Sequence, residues 1–358
     1  MFFSFLRNLK YISIPLGLAR YFSKSNFPKS KAYEFNKYKG GLYIGNEDNP
    51  YMVLLKTEDN AVQKFEVHSQ TKHIAGEAFE NCSLLTSISI PDGVIGIGMA
   101  AFSGCASLKN LKLPSKLENI HYMAFRNCTA LENVHIPASV NYIYENPFIG
   151  CKCLKGISVD ENNKHYDSRN NCNAIIEKST NTLMAGCNNT IIPNNIIKIG
   201  RSAFNGMETL KSIKIPSTCE EIDMNAFYNC TKMQSVFVEE GLKFVRGNAF
   251  ANCTSLKTIS FPSTTNVFGE NCFENCKSLE SFIIPKGVYM IRSQLFARCT
   301  SLKTVTIPSG VEIISSGIFS HCNKLEKIIY NGSKSTWDKI KIDTGNKKLL
   351  STNIEFKR

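Results

Sequence analysis

Apolar residues recur along this chain at a fixed spacing of 23. One copy reads Cys276-Lys-Ser-Leu-Glu-Ser-Phe-Ile-Ile-Pro-Lys-Gly-Val288, followed by Ile291 and Leu295-Phe296. The next reads Cys299-Thr-Ser-Leu-Lys-Thr-Val-Thr-Ile-Pro-Ser-Gly-Val311, followed by Ile314 and Ile318-Phe319. A period of this length is the mark of a solenoid. Within each copy an apolar-x-apolar-Pro segment alternates with period two. Examples are Ile88-Ser-Ile-Pro91, Leu111-Lys-Leu-Pro114, Val134-His-Ile-Pro137, Ile213-Lys-Ile-Pro216 and Val305-Thr-Ile-Pro308. The alternation predicts a short strand with one buried face. Proline closes it, because proline cannot donate to a ladder. A unit of 23 residues cannot bury its own apolar side chains. Stacked units can, and the expected result is one long parallel sheet.

The Phe positions mark the frame most clearly. They are Phe79, Phe102, Phe125, Phe148, Phe204, Phe227, Phe250, Phe273, Phe296 and Phe319. Every gap is 23 except Phe148 to Phe204, which is 56, or 23 plus an insertion of 33. Each stacked interior Phe contributes about 2–3 kcal/mol by burial.

Nine of the 14 cysteines hold one repeat position: Cys82, Cys105, Cys128, Cys151, Cys230, Cys253, Cys276, Cys299 and Cys322. Met207 takes that place in one copy. An odd row with one Met member fits a buried column of small, reduced thiols rather than paired disulfides.

The frame divides the chain. Residues 67–330 hold about ten units, interrupted at 155–187. That insertion contains two apolar runs around Lys178-Ser-Thr-Asn181, which predict a hairpin projecting from the stack. Cys172 and Cys187 lie near its ends, and the sequence leaves their redox state open. Residues 35–68 carry two β-prone runs around Gly45-Asn-Glu-Asp-Asn-Pro50, a hairpin suited to cover the first turn. Residues 326–358 leave the frame, and Trp337 is placed as the cover of the last turn.

The formal charge is +12, and half of it lies in residues 1–33, which hold Arg7, Lys10, Arg20, Lys24, Lys29 and Lys31 and no acid. Residues 1–34 read as a basic tail, an export signal or an organelle presequence. The apolar run Tyr11–Ala19 is too short to span a bilayer. Lys and Glu alternate over the repeats, which describes a solvated surface and not a nucleic-acid face. The histidines His68, His73, His121, His135, His165 and His321 lie far apart, and no CxxC pair, phosphate loop or nucleophile elbow occurs. No cofactor, metal or catalytic set is therefore expected. The Asn-Cys-Thr sequons of the repeat sit beside the buried column and are not expected to be glycosylated; Asn331-Gly-Ser333, near the C-terminal end, is the exception.

The frame Leu-x-x-Ile-x-Ile-Pro-x-x-Val-x-x-Ile-x-x-x-Ala-Phe-x-x-Cys-x-x-Leu resembles the BspA-like, or treponemal-type, leucine-rich repeats. The resemblance implies a leucine-rich-repeat solenoid: a curved right-handed superhelix, β-rich, with short parallel strands on the concave face and little regular helix. It also implies a surface or secreted protein that binds host matrix proteins or other cells, with no shared catalytic residues. The alternatives are an intracellular scaffold or regulator of a soluble partner and, more remotely, an enzyme with an unrecognised site.

In each Ile-x-Ile strand the central residue points outward. The outward row is Ser89, Lys112, His135, Ser158, Lys214, Phe237, Ser260, Ile283, Thr306 and Ile329. Its N-terminal part is small or basic, with Lys112, His135 and Lys214. Its C-terminal part offers Phe237, Ile283 and Ile329. Exposed apolar groups gathered on one face mark interaction sites, so this row is the expected protein-binding surface.

Overall fold

The computed structural model describes residues 33–357. The three readings of residues 1–34 concern a segment that, apart from Tyr33 and Glu34, lies outside the described residues. The repeats stack into a β-solenoid with three hydrogen-bonded walls.

The first wall is built from the Ile-x-Ile strands. Ser212–Ile215 pairs in parallel with Ser235–Val238, and that strand with Thr258–Ile259. Further along, Ser281–Ile283, Thr304–Pro308, Lys327–Asn331 and Asn353–Phe356 form a second parallel run. The inward residues Ile213, Val236, Ile259, Phe282, Val305 and Ile328 are buried. The segment at Leu111–Pro114 forms no strand, and there a single bridge joins Asn110 to Asn133.

The second wall was not anticipated as a sheet. Its strands are two residues long, such as Gly96–Ile97, Asn119–Ile120 and Tyr142–Ile143. Each contributes one buried apolar residue, and the strands pair in parallel from turn to turn. Two residues give almost no alternation to read, so only stacking shows them as strands. The expected single sheet is thus two ladders on two faces, each broken into runs.

The third wall carries the Phe and Cys columns. In the turn around Phe227, Asn225 and Asn229 take left-handed conformations, with φ 57° and 61°. Asn tolerates this geometry well, and glycine tolerates it without strain. Gly104, Gly150 and Gly206 hold the Asn229 position in other turns. The reversed backbone aims its N–H groups along the stack. Phe227 N–H donates to the Ala249 carbonyl at 2.8 Å, and Asn229 N–H to that of Ala251 at 2.9 Å. The Phe rings overlap nearly parallel: Phe227 lies 4.9 Å from Phe204 and 5.1 Å from Phe250. All nine column cysteines are buried free thiols.

The insertion does not project. Strands Tyr166–Asp167, Ala174–Glu177 and Thr182–Gly186 make an antiparallel meander, and the last pairs in parallel with Lys198–Ile199 of the next turn. Ala174, Ile175, Ile176, Leu183 and Ala185 are completely buried. Their runs are continuously apolar, which suits a strand covered on both faces rather than a solvated hairpin. Gly186 is required here, since a Cβ on it would lie 2.1 Å from the Phe204 ring. Cys172 and Cys187 are free and buried. On the third wall the insertion adds nothing: Gly150 N–H donates directly to the Asn205 carbonyl at 2.9 Å. Asn146, fully buried, ties the two turns together by donating to the Ser202 carbonyl at 2.8 Å.

The first strands have the same plan. Glu34–Tyr38, Gly41–Asn46 and Asn49–Thr57 form an antiparallel meander, and the last pairs in parallel with His73–Ile74. Each meander therefore starts a parallel run of the second wall. At the other end Trp337 is buried and meets Tyr330 edge-on at 5.1 Å.

Candidate functional site

The first wall presents the outward row. Phe237 is 63% exposed and Ile283 is 70% exposed. They lie two repeats apart, Phe237 in one parallel run of this wall and Ile283 at the start of the next. Ile329 is only half-buried in the ladder between Thr306 and Glu355. Lys112 is exposed beside the missing strand, outside the ladder. The row is therefore not one continuous surface: Phe237 and Ile283 dominate its apolar part.

Two of the basic members, Lys214 and His135, stand beside acids that the sequence pattern had left unread. Lys214 is paired across the ladder with Phe237. Its ammonium lies 5.8 Å from the centre of that ring and 2.6 Å from the Glu239 carboxylate. Glu239 also accepts from the Ser217 N–H at 3.0 Å. Lys214 and this N–H hold the Glu239 carboxyl below its ordinary range. His135 repeats the arrangement one run earlier. It meets the Ser158 hydroxyl at 2.9 Å, and its Nε2 lies 3.9 Å from Asp160. Asp160 and Glu239 stand where most copies have the strand-closing proline. Each reaches back one turn to a basic residue of the row. The departures from Ile-x-Ile-Pro were the available signal.

The charges of Lys214 and Glu239 balance each other. An exposed ion pair of this kind contributes about 0–1 kcal/mol to stability. Its clearer effect is to hold the Lys214 ammonium over the Phe237 ring, which stays 63% exposed. Among the described residues no three His, Cys, Asp or Glu side chains gather as a metal would require. No helix among them is long and apolar enough to cross a membrane.

The fold and the repeat chemistry define a leucine-rich-repeat solenoid. The family model for the BspA type leucine rich repeat region matches residues 58–176, 174–297 and 267–341, and the chain belongs to that family. No curated protein matches the sequence significantly. Among solved structures, a leucine-rich repeat protein from Eubacterium ventriosum is similar with a TM-score of 0.69 and 19% identity, over 88% of this chain and 94% of that one. The pneumococcal vaccine antigen PcpA is similar with a TM-score of 0.61 and 19% identity, over 92% and 98%. A leucine rich cell surface protein from Faecalibacterium prausnitzii gives 0.54 and 24%, over 86% and 97%. At these identities the likeness is one of fold.

Proposed function

We propose that this protein is a non-catalytic binding module of the cell surface or the secreted fraction. On this reading it engages a host matrix or cell-surface protein through the first wall, with Phe237 and Ile283 as anchors. The observation that carries the reading is the exposure of these two large apolar side chains on a face whose inward residues are buried. Such groups cost solvation in the free protein and are recovered when a partner covers them. Buried anchors of this kind each carry about 2 kcal/mol or more of an interface. The neighbouring solved structures, described as a cell surface protein and a vaccine antigen, support the location.

The test uses the double variant Phe237→Ser with Ile283→Thr. Both new residues already occur in the same row, at Ser260 and Thr306. The full chain and the variant are compared for binding to immobilised matrix proteins and to intact host cells. A loss of at least tenfold in affinity with an unchanged melting profile supports the site. Equal binding by both chains removes it. Protease accessibility of the tagged protein on intact producing cells separates a surface module from an intracellular scaffold.

A further inference from the structure

One of the breaks in the second wall falls at the insertion, and this break is a cleft. Tyr142–Ile143 pairs only toward Asn119–Ile120, and Tyr166–Asp167 only toward Ala174–Glu177. The two strands face each other without pairing. A cleft of about 660 Å³ lies at this seam. That is the size of a small-ligand site.

The walls of the cleft differ. From the repeat side come Tyr142 and Tyr144, 60% and 44% exposed, with ring centres 5.8 Å apart and planes 27° apart. His121 stacks behind Tyr144 at 4.6 Å and fixes that ring. From the insertion come Lys164, His165, Glu177 and Lys178, and Arg201 joins from the following turn. Arg201 lies 3.8 Å from Glu145. The cations Lys164, Lys178 and Arg201 against Glu145 and Glu177 leave one net positive charge, 3 minus 2.

The geometry points to a carbohydrate site, made for a short acidic oligosaccharide. A sugar ring has one apolar C–H face and a rim of hydroxyls. Two neighbouring, exposed tyrosine faces suit the first. The rim needs both donors and acceptors, which the ammonium and carboxylate groups supply together. The surplus cation selects a carboxylate on the sugar. A peptide adding to the strand edge is disfavoured, because the Ile143 N–H already donates to the Tyr166 hydroxyl at 2.9 Å. Nucleic acid also combines stacking with cations, but it carries a charge at every phosphate, and the cleft has a single surplus cation to meet them. This site lies on a different wall from Phe237 and Ile283 and does not depend on them.

The experiment titrates the full chain by calorimetry with three probes: a glucuronate-containing tetrasaccharide, a neutral glucose tetrasaccharide and a thymidine tetranucleotide. The acidic sugar should bind at least tenfold more tightly than either of the others. Tyr142→Ala, at a mostly exposed ring, should reduce that binding at least tenfold without changing the melting profile. Lys164→Ala should narrow the difference between acidic and neutral sugar. Phe237→Ser with Ile283→Thr should leave it unchanged. No saccharide binding, equal binding of the tetranucleotide, or indifference to Tyr142→Ala each overturns the assignment. Preference for the neutral sugar overturns its acidic part.

Discussion

The thiol of Cys253 donates to the carbonyl oxygen of Phe227 at 3.2 Å, across one turn of the solenoid. The same oxygen accepts the backbone N–H of Cys230 in its own turn at 3.2 Å. The bond recurs at Cys105, Cys128, Cys151, Cys230, Cys276, Cys299 and Cys322, each to the Phe one turn before. The column is thus a ladder of S–H donors as well as a row of small apolar groups. Alanine would match the apolar character but leave out the donor and some volume.

Cys253→Ala should therefore lower stability by about 1–3 kcal/mol, from one lost hydrogen bond and a small cavity. Cys253→Ser keeps a donor and should lose less. Urea denaturation of the three chains decides it. Equal losses for Ala and Ser would mean that the S–H bond contributes nothing.

Thiol chemistry should divide the cysteines sharply. Burial pushes Cys82 and Cys322 up to about 11 and Cys219 and Cys253 up to about 12. Cys153 is the exposed member of the 14. At pH 8 the native chain should react with one equivalent of a mild thiol reagent, and Cys153→Ser should abolish that reaction. A raised thiol pKa means that the folded chain holds its protons longer than the unfolded one. Stability is then full below about pH 8.5, the ordinary thiol value, and falls as pH rises toward 11–12. Urea midpoints measured from pH 7 to 10 should drop only at the alkaline end. Rapid labelling of many thiols would show that the column is open to solvent.

His73 predicts the acid limb. Burial, assisted by His121, lowers it to about 4. The folded chain resists protonation that the unfolded chain accepts near pH 6.5. The His73 contribution is present above pH 6.5 and disappears as pH falls toward 4, up to about 3 kcal/mol. His73→Asn matches Asn119, two rungs away in the same ladder position. The variant should show a flatter stability profile between pH 6.5 and 4 than the parent. Identical profiles would place the His73 ring in solvent.

The left-handed position after each Phe gives a backbone test. Asn229→Gly should be close to neutral, since glycine occupies that position in three other turns. Asn229→Val should cost about 1–2 kcal/mol or more, because a β-branched residue resists positive φ. Thermal melting reads both. A neutral Val variant would refute the conformation.

The repeat length, the Ile-x-Ile strands and the Phe and Cys columns were legible because stacking demands identical chemistry at identical positions. A one-dimensional period carries that information directly. The exposure of Phe237 and Ile283 was legible for the same reason, since strand alternation assigns each side chain a face. The second wall was not, because two-residue strands exist only as partners of their neighbours. The insertion was expected to project and is instead buried, because an apolar hairpin can project or be covered and only the gap it fills determines which. The acids Glu239 and Asp160 were visible as departures from the proline, but their ion pairs join residues one turn apart. The cleft between Tyr142 and Lys164 arises where the ladder fails to close. No residue type announces a missing pairing, so that site was decided by the tertiary structure alone.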